Sequence, residues 1–291
     1  MRKILTIAGS DSCAGAGIQA DIKTIQALGA YALSVITAVT AQNTRQVTAV
    51  QEIEALVIEK QLEAIFSDIR LDGIKIGMLG SAGTVQAVSN FLASFFQAGA
   101  FREKQLKNSL PLVVDPVMIA KSGDRLLEEE AVESLKKNLL PLASVITPNL
   151  MEAGALLGRD ISSLEGMKEA ARELLEFGCP WAIVKGGHLK GEPVDVLANK
   201  DSLYLLRGQR VDTACNHGTG CTFSAALATL MGQGFAVPAA AKRAKAYVEY
   251  CLQHGFAIGE GVGIPHHFAA QRPWEPEALK DGSDASIKEE V

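Results

Sequence analysis

The sequence has few aromatic residues, no Cys-x-x-Cys pair and no long hydrophobic run. Only 5% of its 291 residues are aromatic, and its formal net charge is −5. A mildly acidic chain of this kind lacks the basic patches that bind nucleic acid. No apolar run reaches the roughly 18 residues that a membrane helix needs. We therefore expect neither nucleic acid nor a membrane as a partner.

The cysteines predict a reducing environment. There are five of them, an odd number, and they are widely spaced: Cys13, Cys179, Cys215, Cys221 and Cys251. This usage is typical of free thiols rather than of a disulfide framework. The chain runs from Met1 directly into a strand-like segment, which predicts no secretory signal. Together these features predict a cytoplasmic protein.

Length alone, at about 150 residues per domain, would suggest two domains. However, the sequence contains no internal repeat and no linker that divides the body. We therefore predict one domain over residues 1–274. The segment 275–291 is charged and poor in apolar residues, which predicts a mobile C-terminal tail.

Short apolar runs alternate with amphipathic segments along most of the chain. This alternation predicts an α/β fold with a central, mostly parallel sheet flanked by helices on both faces. A pair of apolar runs at 194–197 and 203–206 predicts a small antiparallel addition. The other predicted strands are 4–8, 32–39, 73–77, 112–115, 144–147 and 181–185, and the predicted helices are 18–28, 54–67, 84–96, 128–139, 149–157, 164–177, 219–231 and 238–254.

The segment Asn216-His-Gly-Thr-Gly-Cys221 precedes a helix of small residues. Gly218 and Gly220 allow positive φ angles and close approach of a ligand to the backbone. The free amides at a helix N-terminus, around Thr219, favour anions. The same position predicts a lowered pKa for the Cys221 thiol. The alternative is a tight turn in which Cys221 only fills space.

Two nucleotide-binding motifs are absent or incomplete. The sequence has no GxxxxGK[ST] segment, so it has no P-loop. Gly15-Ala-Gly-Ile-Gln-Ala20 matches a loose dinucleotide pattern, but the second predicted strand is followed by Gln42 and Asn43 rather than by an acid. A ribose-binding carboxylate is therefore missing, and this argues against a nicotinamide site.

Polar residues follow several predicted strands, where ligands of α/β sheets bind. Gln42 is either a solvated loop amide or a recognition group, and its paired donor and acceptor suit an aminopyrimidine. Asp21, in the first helix, is a substrate-binding candidate, although a solvated or helix-pairing carboxylate explains it slightly better. Lys185 precedes two glycines and either contacts nucleotide phosphates or is solvent-exposed.

Asn149 and Glu152 have the Asn-x-x-Glu spacing at a helix start. Their oxygens suit Mg²⁺ that is held largely through water. The same spacing is that of a capping box, with Asn149 as N-cap. Both roles are compatible, because a capped turn also fixes the carboxylate.

Seven segments between residues 4 and 268 resemble the hydroxymethylpyrimidine/phosphomethylpyrimidine kinases of thiamine biosynthesis, within the ribokinase-like superfamily. They are LTIAGSDSCAGAGIQADIKTIQALGAYALSVITAVTAQNT, KIGML, VVDPVMIAKSGDRLL, ITPNLMEAGALLG, VKGGH, NHGTGCTFSAALA and HHF. The resemblance implies a ribokinase-like fold, ATP and Mg²⁺ as cofactors, and a homodimer. In the first loop, Cys13-Ala14 departs from the family's second Ser-Gly pair.

The resemblance also implies residue roles. Gln42 matches the glutamine that holds the aminopyrimidine, with Gly9, Ala16 and Met78 lining its pocket. Asn149 and Glu152 match the Mg²⁺-associated pair, Lys185 matches a phosphate contact, and Cys221 occupies the place of the superfamily's catalytic aspartate. Residues 121–124 resemble part of a mobile segment that covers the substrate.

These features predict an enzyme that phosphorylates 4-amino-5-hydroxymethyl-2-methylpyrimidine and its monophosphate. ATP phosphates would lie between Lys185, the Mg²⁺ and the amides of residues 218–221, and Cys221 would accept the hydroxyl proton or act by position alone. The alternatives are a pyridoxal kinase, a dual-specificity enzyme, and a non-catalytic ligand-binding protein on the same fold.

Overall fold

A nine-stranded sheet runs through the protein. The computed structural model describes residues 1–97, 110–118, 128–187, 189 and 191–271. The strand order is β3-β2-β1-β4-β5-β6-β7-β8-β9. The strands are β1 Lys3–Asp11, β2 Tyr31–Gln42, β3 Val47–Glu52, β4 Gly73–Ile76, β5 Leu112–Val114, β6 Val145–Ile146, β7 Trp181–Val184, β8 Val194–Ala198 and β9 Leu203–Arg207.

The central six strands are parallel, and the antiparallel strands lie at the two edges. β3 pairs antiparallel with β2, and the β8–β9 hairpin pairs antiparallel with β7. The hairpin confirms the predicted antiparallel addition. The edge strand β3 was not predicted, since its residues are mostly exposed and lack an apolar face.

Helices cover both faces of the sheet, as predicted. They are α1 Gly17–Ala27, α2 Ala55–Asp68, α3 Ala82–Gln97, α4 Glu129–Ser134, α5 Leu150–Leu157, α6 Leu164–Glu173, α7 Thr219–Gly232 and α8 Val237–Gln253. The predicted helix 128–139 is shorter as an α-helix, because a π-type turn takes over at Leu135–Leu139. Within the described ranges, no helix is both long and apolar enough to span a bilayer.

Successive strand residues enter two separate cores, because side chains alternate across a strand. Val113 belongs to the core that includes Phe223 of α7 on one face, whereas Val114 belongs to the core that includes Val88 of α3 on the other. In β4, Ile74 and Ile76 face the α3 side. Lys75 between them therefore points toward α1 and α7. This alternation places a charged side chain beneath the carboxyl edge of the sheet.

The division into a domain 1–274 and a tail 275–291 stays a prediction. The tail and residues 121–124, which resemble a mobile covering segment, lie outside the described residues.

Candidate active site

A cavity of about 970 Å³ lies at the edge where the parallel strands end. Ligands of open α/β sheets bind at this edge. Of the candidate site residues, all except Asp21 line the cavity. They are Gly9, Ala16, Gln42, Met78, Asn149, Glu152, Lys185, Gly218, Thr219, Gly220 and Cys221.

The tip of α7 faces into this cavity. Gly218 is the N-cap, with φ of 82° and no side-chain cap. A Cβ atom on Gly218 would collide with the carbonyl oxygen of Gly15, so the turn needs glycine at this close approach. A Cβ atom on Gly220 would lie 3.3 Å from Lys185 Nζ. The helix N-terminus and the Lys185 cation therefore converge on one anion-favouring region.

Lys185 forms an ion pair with Asp115 at the end of β5. Its Nζ donates to Asp115 Oδ1 at 2.7 Å, and Thr147 and Ser224 hydroxyls also donate to this carboxylate. Lys185 is 15% exposed, so the pair borders the cavity. Burial would lower the pKa of Lys185, but Asp115 and Glu152 raise it. Lys185 is therefore a partly buried cation, and the solvent-exposed alternative is wrong.

Asp21 is buried beneath the cavity. Its Oδ2 accepts from Lys75 Nζ at 2.8 Å and from Thr6 Oγ1 at 2.6 Å. Both charged side chains are 0% exposed. The expectation of a solvated or substrate-binding carboxylate is therefore wrong. Asp21 pairs with a residue 54 positions away, and helix periodicity cannot predict such a pair.

The expected lowering of the Cys221 pKa is also wrong. Burial raises the pKa of the thiol to about 11; Lys75 lowers it, whereas Asp21 and Asp115 raise it. The backbone amide of Gly17 also lowers the pKa of this thiol. Desolvation and two carboxylates thus outweigh the helix terminus, the lysine and the amide.

The capping box at the start of α5 is confirmed. Glu152 N donates to Asn149 Oδ1 at 2.9 Å, and Asn149 N donates to Glu152 Oε2 at 2.8 Å. Burial raises the pKa of Glu152 to about 7; Lys185 lowers it and Asp115 raises it. The site therefore holds two carboxylates, Glu152 and Asp115, close to one lysine. Asp115 is the last residue of the predicted strand 112–115, and no role was predicted for it.

Gln42 lies at another part of the cavity, close to two residues that had no predicted role. Its Nε2 is 3.3 Å from His217 Nε2, which is 2.9 Å from Asp11 Oδ2. Gly9 and Met78 are adjacent there, since a Cβ atom on Gly9 would lie 3.0 Å from Met78 Sδ. His217 could have been found from its position beside Gly218. Asp11 is 206 residues away from it.

A second buried ion pair borders the cavity between the hairpin and α8. Lys245 Nζ donates to Asp195 Oδ2 at 2.7 Å, and Gly186 N donates to Asp195 Oδ1 at 2.9 Å. Apolar side chains of Val211, Val248 and Leu252 line the same region. No role was predicted for these residues, because their convergence depends on the packing of α8 against the β8–β9 hairpin.

The fold and the cavity define the protein as a ribokinase-like kinase of a small molecule. A solved pyridoxal kinase from Bacillus subtilis, in complex with ADP, aligns with a TM-score of 0.82 and 36% identity, covering 93% of this chain and 98% of that one. A phosphomethylpyrimidine kinase structure from Clostridium difficile 630 aligns with a TM-score of 0.73 and 41% identity, covering 86% and 98%.

The particular family follows from the sequence matches. The family profile described as Phosphomethylpyrimidine kinase matches residues 11–266. A hydroxymethylpyrimidine/phosphomethylpyrimidine kinase from Rhizobium meliloti (strain 1021) is 45% identical over 268 residues, which is 91% of this chain and 96% of that protein. The chain belongs to the phosphomethylpyrimidine kinase family.

Proposed function

We propose that this protein transfers the γ-phosphoryl group of ATP to 4-amino-5-hydroxymethyl-2-methylpyrimidine and then to its monophosphate, in thiamine biosynthesis. The observation that carries this proposal is one cavity lined by Gln42, the α7 tip and Lys185. The R. meliloti relative, a hydroxymethylpyrimidine/phosphomethylpyrimidine kinase, supports both steps. The ADP complex of the pyridoxal kinase neighbour supports ATP as the donor.

The pyrimidine would lie beside Gln42, against Gly9, Ala16 and Met78. A glutamine amide offers one donor and one acceptor edge, which complements an amino group next to a ring nitrogen. The phosphates would lie between Lys185 and the first turn of α7. Phosphoryl transfer depends mainly on positioning and charge neutralisation. Preorganised donors at such a site are worth about 2.7–4 kcal/mol each in characterised enzymes.

The residues around Glu152 fit a divalent cation. Two carboxylates, Glu152 and Asp115, lie near one lysine, and burial raises the pKa of Glu152 to about 7. A cation would relieve this excess of negative charge. Asn149 Oδ1 and Glu152 Oε2 already accept backbone hydrogens, so they would hold Mg²⁺ through water. Bound Mg²⁺ would neutralise charge on the phosphate oxygens.

Cys221 would act mainly by position. A thiol with a pKa of about 11 is ionised to about one part in ten thousand at pH 7. A loose transition state places little demand on a base, so a neutral thiol at the α7 tip can orient the substrate hydroxyl. This changes the expectation that Cys221 accepts the proton in a resting thiolate form.

A pyridoxal kinase is the second candidate, favoured by the 0.82 TM-score of the B. subtilis pyridoxal kinase. An ADP-release assay on purified protein, with the pyrimidine alcohol and with pyridoxal, separates the two. We expect the pyrimidine to give the larger kcat/KM. A larger value for pyridoxal would overturn the proposal, and turnover of neither would favour a non-catalytic protein.

The homodimer and the cytoplasmic location stay predictions. Exposed apolar side chains on β2, β3 and α2 support a subunit interface; they are Val39, Val50, Leu56 and Val57. Analytical ultracentrifugation measures the assembly directly, and a monomer at micromolar concentration would contradict the expected dimer.

A further inference from the structure

The buried imidazole of His217 contacts two polar side chains of different character. Its Nε2 lies 2.9 Å from Asp11 Oδ2 and 3.3 Å from the amide end of Gln42. His217 is 6% exposed, so water does not compete freely for this nitrogen. The presence or absence of a hydrogen atom on Nε2 therefore decides whether the oxygen or the nitrogen of the Gln42 amide faces His217.

Asp11 requires His217 to carry that hydrogen. The Asp11 carboxylate already accepts from the amides of Cys13, Gly15 and Ala16, at 2.9, 3.1 and 2.8 Å. Burial would raise its pKa, but hydrogen bonds with His217, Ala16 and Cys13 hold the pKa at about 2. An ionised carboxylate only accepts hydrogen bonds. The Nε2 atom of His217 must therefore be a donor.

The donor on His217 favours one of two orientations of the Gln42 amide. A half-turn about the Cγ–Cδ bond exchanges the oxygen and nitrogen positions without changing the shape, so the partners decide between them. With the nitrogen toward His217, two N–H donors oppose each other at 3.3 Å. With the oxygen toward His217, the amide oxygen shares the Nε2 hydrogen with Asp11 as the weaker branch of a bifurcated hydrogen bond.

Thr40 favours the same orientation. Its Oγ1 lies 3.0 Å from the Ser10 carbonyl oxygen and 3.2 Å from the other end of the Gln42 amide. A hydroxyl has one hydrogen, and the Ser10 carbonyl can only accept it. Once that hydrogen is donated to Ser10, Oγ1 accepts from the Gln42 amino group. Two independent contacts therefore agree.

We propose that His217, held by Asp11, is a positioning residue that fixes the Gln42 amide with its oxygen toward His217 and its nitrogen toward Thr40. This orientation selects a ligand with an amino group beside a ring nitrogen over the 4-oxo analogue, whose donor and acceptor are exchanged. The inference rests on the proposed function, because it assumes that Gln42 contacts the pyrimidine.

The orientation also sets the direction of the ring. The Gln42 oxygen would accept from the 4-amino group, and the Gln42 nitrogen would donate to the adjacent ring nitrogen. The 5-hydroxymethyl group neighbours the amino group on the other side. It would therefore lie on the His217 side, and His217 is followed in sequence by Gly218 and the α7 tip. The reverse amide orientation would direct the hydroxymethyl group away from that tip.

The test compares kcat/KM for the 4-amino substrate with kcat/KM for its 4-oxo analogue. In His217→Leu, only Thr40 still favours one orientation of the Gln42 amide, so we expect the amino-to-oxo ratio to fall by about tenfold. His217→Gln is the matched control, because its amide hydrogens can replace the Nε2 donor and keep the ratio near that of the wild type. Affinity for a non-hydrolysable ATP analogue should remain unchanged in both variants.

An equal loss for both substrates in His217→Leu, with the ratio unchanged, would reduce His217 to a packing role and overturn the inference. If the wild type does not turn over the 4-amino alcohol, the proposed function fails instead.

The tautomer of His217 gives a second test that needs neither substrate nor variant activity. The protein has five histidines, so ¹⁵N-histidine NMR spectra can be assigned with single substitutions. We expect His217 to be protonated at Nε2 in the wild-type protein. An unprotonated Nε2 would overturn the inference even if the Leu variant does not fold.

Discussion

Of the three buried lysine–aspartate pairs that the described residues form near the cavity, Lys75–Asp21 and Lys185–Asp115 have similar geometry. Lys75 contacts Asp21 at 2.8 Å, and Lys185 contacts Asp115 at 2.7 Å. The first pair is 0% exposed on both sides, whereas Lys185 is 15% exposed and lines the cavity. Both pairs join a lysine to an aspartate, and they differ in their access to the cavity.

This difference separates a structural cation from a functional one. Burial would lower the pKa of Lys75, but Asp21, Cys221 and Asp115 raise it, so Lys75 remains charged inside the protein. Its charge cannot reach a ligand, although it does lower the pKa of Cys221. Lys185 can exchange part of its contact with Asp115 for a phosphate. Position relative to the α7 tip, rather than residue type, therefore assigns their roles.

The largest expected effect is on stability, from Lys75→Met. This change leaves Asp21 as an uncompensated buried charge, which costs about 3–5 kcal/mol in comparable proteins. Chemical denaturation of the wild type and the variant measures the difference. Lys75→Met combined with Asp21→Leu removes both charges and should recover much of the loss. A single-variant loss below about 1 kcal/mol would contradict the assignment of a structural pair.

Lys185→Met should act on catalysis instead. Loss of a charged contact to the transferring phosphate should lower kcat/KM by about 10²–10³-fold, the range measured for single stabilising donors. The loss of unfolding free energy should be smaller than for Lys75→Met, because Thr147 and Ser224 still donate to Asp115. Lys185→Arg is the control that keeps the charge. Near-normal kcat/KM in the Met variant would place the phosphates elsewhere.

Cys221→Ala should lower kcat by about ten- to a hundredfold while pyrimidine affinity changes little. Burial raises the thiol pKa to about 11, so the thiol contributes no inflection to the pH–rate profile between pH 6 and 9. The rate at which iodoacetamide alkylates Cys221 should increase with pH up to about pH 11. The Ala variant gives the background rate from the other cysteines. Rapid alkylation at pH 7 would restore the resting-thiolate interpretation.

The smallest effect is a pH dependence set by Glu152. In the cation-free protein its pKa of about 7 predicts activity at subsaturating Mg²⁺ about tenfold lower at pH 6 than at pH 8, since the ionised form would hold the cation. Glu152→Gln should remove this dependence of activity on pH. Because the folded-state pKa is raised above 4.5, the stability contribution of Glu152 is present below about pH 4.5 and is lost as the pH rises through about 7. Thermal unfolding of the two proteins across that window checks the sign.

The sequence alone determined the features that depend on near neighbours. Alternating apolar runs gave the layered α/β fold, because side-chain periodicity is local. The capping box of Asn149 and Glu152 could be predicted from the three-residue spacing of these residues. Gly218 and Gly220 marked the tight turn before α7, and the strand ends marked the edge that carries the cavity.

Only the tertiary structure decided which charges meet and which are hidden. Lys75 pairs with Asp21 across 54 residues, Lys185 with Asp115 across 70, and His217 with Asp11 across 206. Such pairs occur at no regular spacing in the sequence, so periodicity cannot predict them. The pKa of Cys221 likewise depends on desolvation and on two distant carboxylates, and these reverse the effect expected from its place at a helix N-terminus. Local geometry specifies the turn, whereas the electrostatics of the site are a property of the assembled fold.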